Sequence, residues 1–273
     1  MAYQIRPLSF AEILDRALRV LVDHAVVLIG ISAIVWVPYQ FLTAAGKWMA
    51  LVAMILLLGV GPLVQAALTA AVVEIYLDRK ATIEGAYRSA KAIFLPYLGT
   101  YLLLYIPAVV LGVPVGILAA VGMSGRRSSP AVFLLAVAVM VFVSGYFLIR
   151  WILIGSIMIA EGRFGTSALG RSWALTKGVW WRTLGISLAA ALIVQVPVGA
   201  LSLIWHSIPI IGTLLTGLAF SVTACYSALA MVIYYFDRRC RVEDFDLHLL
   251  AEQIRAEGAA GNAAPTGGAA PLG

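Results

Sequence analysis

Residues 78–116 read DRKATIEGAYRSAKAIFLPYLGTYLLLYIPAVVLGVPVG, and residues 161–199 read EGRFGTSALGRSWALTKGVWWRTLGISLAAALIVQVPVG. The two stretches align at a constant offset, which places Arg88-Ser89 on Arg171-Ser172. A looser copy opens the chain, where Glu12, Arg16 and Arg19 fall on Glu84, Arg88 and Lys91. Each copy reads as a short basic amphipathic helix followed by a long apolar one. The pattern predicts three pseudo-repeats, each closed by a second apolar helix.

The composition excludes a soluble globular protein. The chain of 273 residues is 62% hydrophobic and 12% charged, and its mean hydropathy is +0.98. It lacks the polar surface that a soluble fold needs, and we interpret it as an integral membrane protein. The net charge of +6 is divided among short groups between apolar stretches. This distribution fits membrane topology better than nucleic-acid binding.

The expected fold is all-α, with six transmembrane helices in three units of amphipathic interfacial helix plus helical hairpin. Each apolar stretch has the roughly 20 residues needed to cross a bilayer. The stretches are about 25–45, 49–76, 97–121, 131–154, 183–205 and 210–236.

Short amphipathic segments precede the odd-numbered spans. Ser9 followed by Glu12 predicts a capping box that starts the first segment. Its apolar face is expected to lie on the membrane surface, or alternatively to pack as a cytosolic stem against the protein.

The basic residues indicate the orientation. All Lys and Arg residues except Lys47, Arg126 and Arg127 fall on one predicted side. By the positive-inside rule, both termini and the amphipathic helices are expected to be cytoplasmic.

Residues 1–257 are expected to form the transmembrane domain with a C-terminal amphipathic helix containing Leu247, Leu250 and Ile254. Residues 258–273 are rich in Ala, Gly and Pro without periodicity, which predicts a disordered tail.

No catalytic or metal-binding residues are predicted, and no cofactor. The sequence contains no HExxH, GxSxG or Walker A pattern. The predicted topology also separates His24, His206 and His248, so we expect a protein that is not an enzyme.

Ionisable and amide side chains within the spans are candidates for a ligand site, because such residues are costly in lipid. Glu74 and Arg150 are expected either to pair at an inner vestibule or to extend to the headgroups. Gln40, Gln65 and Gln195 lie deeper, where they are expected to bind a ligand or to hydrogen-bond a neighbouring helix.

Prolines recur in the first span of each unit, namely Pro38, Pro107 with Pro114, and Pro197. A proline inside a helix kinks it and frees a carbonyl group. We expect the kinked helices either to surround a central cavity or to fit together around a solid core.

A ring of basic residues is expected to face the headgroups of anionic lipids. Its members are Arg16, Arg19, Arg88, Lys91, Arg171 and Lys177.

The two ends of the chain resemble a bacterial membrane-domain family that accompanies some glycerophosphodiester phosphodiesterases. The residues that carry the resemblance are Arg6 to Ala17, Arg171-Ser172-Trp173, and Tyr234 to Leu247. Ala11 and Asp244 stand where glycine is expected in that family. The resemblance implies a stand-alone membrane domain without the catalytic domain, whose own activity is not established.

The sequence therefore predicts a non-catalytic membrane protein that binds or moves a lipid or small amphiphile between kinked helices. The alternative is a structural or regulatory subunit that docks a membrane or cytosolic protein through its cytosolic amphipathic helices.

Overall fold

A computed structural model describes residues 6–124, 130–205 and 208–243, and within these ranges the chain is helical with short turns and no strands. The predicted C-terminal helix around Leu247 and the predicted tail 258–273 lie outside the described residues. The described helices are α1 (Phe10–Asp23), α2 (Ala25–Ala44), α3 (Lys47–Tyr76), α4 (Ile83–Ala92), α5 (Phe94–Ser124), α6 (Pro130–Arg150), α7 (Ile154–Ala160), α8 (Thr166–Thr176), α9 (Trp180–Trp205) and α10 (Pro209–Glu243).

Helix α1 begins at the predicted capping box, which the structure confirms. The Ser9 hydroxyl accepts a hydrogen bond from the backbone N–H of Glu12, and the Glu12 carboxylate accepts one from the backbone N–H of Ser9. Thr82 caps α4 similarly by accepting from the N–H of Gly85. These caps satisfy N–H groups that the first helical turn leaves without partners.

Within the described residues, five helices are long and apolar enough to cross a membrane. Their outward surfaces carry large apolar side chains, such as Val26 at 85% and Leu203 at 81% exposure. Such surfaces suit lipid rather than water. The qualifying segments are Ala25–Ala44, Lys47–Tyr76, Phe133–Ala160, Trp180–Trp205 and Ile210–Glu243.

The remaining predicted span corresponds to α5. Within it, Phe94–Leu104 qualifies as a shorter apolar helix. The described residues therefore establish five candidate spans, and the sixth stays a prediction.

Helix α10 lies at the centre of the helix assembly and packs against α1, α2, α3 and α9. Its approach to α2 is close because Gly217 has no side chain. A Cβ atom at this position would lie 2.8 Å from the Cα of Val37. Small residues at a helix crossing allow this kind of close backbone packing in membrane proteins.

The short helices pack on the protein itself. In α1, the side chains of Ile13, Ala17 and Val20 are fully buried in the core, and the Tyr226 hydroxyl of α10 donates to the carbonyl of Leu14. The apolar face of α1 is thus covered by protein, as in the packed-stem alternative. The expectation that this face lies on lipid is wrong, because α10 occupies that position.

Candidate functional site

A cavity of about 340 Å³ lies between the long helices. Residues from α3, α5, α9 and α10 line it, together with α7 and the turn before it. Its walls alternate hydroxyl or amide side chains with small or apolar ones. The lining residues are Gln65, Thr69, Tyr101, Ile152, Gly155, Ser156, Ser187, Ala190, Ala224, Ser227, Ala228, Met231 and Val232.

The cavity lies between the charged ends of the helices and their middle. Gln65 precedes Tyr76, at the end of α3, by eleven residues, which is about 16 Å of helix. Ser227 precedes Asp237 in α10 by ten residues, or about 15 Å. Ser156 lies closer to the charged end, only five residues, or about 7–8 Å, before Glu161. The cavity therefore occupies the half of the helix bundle nearest the charged ends, within the roughly 30 Å of a hydrocarbon core.

Three hydroxyl groups converge on Gly155 at the cavity wall. A Cβ atom on Gly155 would lie 3.6 Å from the Tyr97 hydroxyl, 3.8 Å from that of Tyr101 and 3.9 Å from that of Thr69. The rings of Tyr97 and Tyr101 are stacked with centroids 5.0 Å apart. Gly155 thus leaves space that any larger residue would fill.

Several polar groups in this region have unused hydrogen-bonding capacity. The Tyr97 hydroxyl is fully buried and forms no hydrogen bond of good geometry, although other hydroxyls lie beside it. Among the bonds formed within the described ranges, none involves the side chains of Gln65, Ser156 or Ser227. By contrast, the Ser187 hydroxyl donates to the carbonyls of Thr183 and Leu184 in its own helix. Polar groups without partners at this depth are costly, which marks the cavity as a candidate ligand site.

Of the three predicted glutamines, the structure places only Gln65 at this cavity. The Gln40 side chain accepts a hydrogen bond from Thr43 in its own helix. Gln195 is exposed on α9, outside the cavity. The sequence gives the depth of each glutamine but not its direction around the helix, which depends on tertiary packing.

Glu74 and Arg150 do not form the proposed ion pair in the described structure, and neither lines the cavity. The Arg150 guanidinium donates to the carbonyl of Thr176 at 2.9 Å and lies 4.8 Å from the ring centroid of Trp173. The backbone carbonyl of Arg150 in turn accepts a hydrogen bond from Ser172. Arg150 therefore holds α6 to α8, because the C-terminal carbonyls of α8 attract its donors.

The prolines are not part of the cavity wall. Pro38, Pro114 and Pro197 are exposed residues within α2, α5 and α9, and the side chain of Pro107 in α5 lies outside the description. Helix α2 contributes no lining residue. A cavity lies between helices, but Pro38, Pro114 and Pro197 do not line it, so the enclosure of a cavity by the kinked helices stays a prediction.

The predicted basic ring divides into two groups. Arg19, Arg88, Lys91 and Lys177 are exposed, and the first two pair with Asp15 and Glu84 in their own helices. Arg16 and Arg171 instead turn toward protein, where Arg16 donates to the Tyr76 hydroxyl. The four exposed basic residues are therefore free of burial and can contact the headgroups of anionic lipids.

Arg171 belongs to a polar network that joins α7, α8 and α10. Its Nε donates to both carboxylate oxygens of Glu161 at 3.0 Å, and it also pairs with Glu243. Glu161 accepts a further bond from the Tyr235 hydroxyl. The hydrogen bonds to Glu243 and Glu161 raise the pKa of Arg171 against the opposite effect of burial.

A second, open cavity of about 1130 Å³ lies at the charged end, between α1 and the turn after α3. Acidic and basic side chains alternate along it, among them Asp15, Arg16, Asp78 and Arg79. Many of these charges already have partners, for example Arg6 with Glu12. This surface is a solvated groove with balanced charge rather than a concentrated site.

Sequence reasoning missed the structural role of three acidic residues. Asp78, Glu161 and Asp237 each follow an apolar stretch, and each is followed within two residues by an arginine. Two of them are largely buried and bind arginines in the structure. Their recurrence at corresponding positions is the signal that could have identified them.

No group of three or more His, Cys, Asp or Glu side chains is placed to hold a metal in the part of the chain that the structure describes. No family model, curated protein or solved structure matches the chain. The fold and the cavity define the class: the apolar helices fit a multi-pass, all-α membrane protein with a polar cavity between its helices.

Proposed function

We propose that this is a non-catalytic protein of the bacterial cytoplasmic membrane that binds or moves a lipid or small amphiphile through the Gln65 cavity. The observation that carries the proposal is a cavity between the apolar helices whose wall contains polar side chains without hydrogen-bond partners. Its volume lies near the lower end of the 300–1,000 Å³ typical of small-molecule sites.

The proposed architecture has six spans in three pseudo-repeats, with both termini cytoplasmic. Helix α5 has 31 residues, or about 46 Å of helix, which exceeds the thickness of a bilayer core. Each unit consists of one short helix followed by two long helices, and the second unit also contains the short helix α7.

Packing between units supports this architecture. Each short helix packs on the end of the preceding unit: α4 on α3, α8 on α7, and α1 on α10. The last of these contacts would close the three units into a ring.

We also propose that the chain is related to the phosphodiesterase-associated membrane domains that its two ends resemble. Its two most specific segments, around Leu8 and around Tyr234 to Arg239, contact each other directly through Leu8 and Asp237. Contact between segments so distant in sequence gives a structural reason for their motifs to occur together.

Native mass spectrometry of the protein extracted with surrounding membrane tests the proposal. One discrete bound mass at fixed stoichiometry is expected for the wild type. Gly155→Leu fills the cavity and should abolish that mass, whereas Gly199→Leu on α9 should retain it, since nothing lies within 4 Å of a Cβ there.

The docking alternative predicts a different result. A co-extracted protein, with only heterogeneous bulk lipid in both variants, would support a structural subunit and contradict the ligand site. The residues proposed for docking, Leu247, Leu250 and Ile254, lie beyond the described part of the chain.

A further inference from the structure

We infer that the cavity selects an uncharged, hydrogen-bonding headgroup on a single-chain amphiphile, such as a glycerol ester, and rejects charged headgroups. This inference rests on the proposed function and specifies its ligand class.

The cavity wall carries no charged side chain. None of its lining residues is Asp, Glu, Lys, Arg or His. A phosphate, carboxylate or ammonium group held at this depth would lose its hydration without gaining a counter-ion. The wall is therefore selective against ions.

Nearby charged residues do not supply that counter-ion. Arg150 is bound to the Thr176 carbonyl, and Arg171 is bound to Glu161 and Glu243. Recruiting either arginine to a ligand would break contacts between helices. The charged network and the cavity are thus separate parts of the molecule.

The cavity wall supplies hydrogen-bond donors. The Gln65 amide offers two N–H donors and an acceptor, and Ser156 and Ser227 each offer a hydroxyl. A ligand that brings acceptor oxygens, from an ester or alcohol, satisfies these groups while remaining neutral.

The size and openness of the cavity suit a single-chain ligand. A volume of about 340 Å³ accommodates a polar headgroup and part of one chain, but not the whole of a two-chain lipid. Lining residues such as Gln65, Tyr101, Ser187 and Met231 are half-buried rather than buried. The cavity is therefore open on one side, where the rest of an alkyl chain can extend between helices.

Binding of 1-monooleoylglycerol and of oleate, which share an acyl chain, to the full chain in nanodiscs tests the inference. The neutral ester should bind the wild type and Gln195→Leu equally. Gln65→Leu, which keeps the volume and removes the amide, should bind it about tenfold more weakly or worse. Oleate should bind far more weakly than the neutral ester in every case.

Ser227→Ala removes one hydroxyl from α10 and provides a second variant if Gln65→Leu unfolds. It should also weaken binding of the ester while the melting temperature stays unchanged. Equal binding of oleate and the ester, or equal effects of Gln65→Leu and Gln195→Leu, would overturn the inference.

Failure of this inference can be separated from failure of the proposed function. If the ester does not bind but a native bound mass is lost in Gly155→Leu, the ligand class is wrong and the cavity is still a ligand site. If no bound mass responds to Gly155→Leu either, both the ligand class and the site are wrong.

Discussion

The backbone N–H of Leu8 donates a hydrogen bond of 2.7 Å to Oδ1 of Asp237, which joins the segment before the first helix to the last described helix. Arg182 and Arg241 both pair with the same carboxylate and both donate to the Leu8 carbonyl. The Asp237 side chain is 0% exposed. Four residues from distant parts of the chain thus form one closed polar cluster, which we call the Asp237 cluster.

Asp237→Asn should strongly destabilise the fold. The substitution removes the negative charge that two arginines share in a buried site, so their charges lose compensation. Breaking a buried ion pair costs about 3–5 kcal/mol. Chemical or thermal unfolding in detergent measures this loss.

Asp78→Asn is the matched control. Asp78 is exposed at the end of α3 and has a φ of 60°, a conformation that asparagine also adopts readily. Asp78→Asn should change the free energy of unfolding by no more than about 0.5 kcal/mol. Equal losses for the two variants would show that the Asp237 cluster has no special role in stability.

Arg150→Ala should lower stability by about 1–3 kcal/mol and leave ligand binding intact. The reason is the loss of the hydrogen bond to Thr176 and of the contact with the Trp173 ring. Arg150→Lys should retain part of the stability that Arg150→Ala loses, because lysine keeps the positive charge but lacks the planar guanidinium group. Loss of the bound mass with an unchanged melting temperature would instead place Arg150 in the ligand site.

Gly217→Ala should destabilise the protein by about 1–3 kcal/mol, because its methyl group would overlap the backbone of α2 at Val37. Gly199→Ala, with no atom within 4 Å of the new Cβ, should be neutral or mildly stabilising. Unfolding of the two variants side by side measures the difference. Similar stabilities would mean that α2 and α10 are not closely packed there.

The Glu12 carboxylate should make stability depend on pH in the acid range. Its hydrogen bond from the Ser9 N–H, with help from Arg6, lowers its pKa from 4.5 to about 2. A lowered pKa stabilises the fold above about pH 4.5, and this contribution is lost as the pH falls toward 2. Melting temperatures measured across this range should show the loss.

Glu12→Gln should remove that part of the pH dependence. Glu84→Gln, at the corresponding position of α4, should leave it in place. A wild-type pH profile that matches that of Glu12→Gln would contradict this role.

The sequence predicts elements that depend on local chemistry. The apolar stretches give the long helices, and Ser9 with Glu12 gives the start of α1, because length, hydropathy and capping are properties of neighbouring residues. The depth of Gln65 also follows from its position in a span.

Features that depend on tertiary contacts could not be read from the sequence. Gln65 and Gln195 look alike as intramembrane glutamines, yet one lines the cavity and the other is exposed. The Glu74–Arg150 hypothesis failed for the same reason, since Arg150 has a better partner in the end of α8. The Asp237 cluster requires contacts across most of the chain.

The measurement that tests the central claim most directly is photo-crosslinking of the protein in its native membrane with methionine replaced by photo-methionine. Met231 lines the cavity, and Met54 is 53% exposed on the outside of α3, so one molecule contains both the test and its control. The account predicts one discrete amphiphile on the Met231 peptide and a mixture of bulk lipids on the Met54 peptide. The same mixture on both peptides, or no adduct at Met231, would contradict a selective ligand site in this cavity.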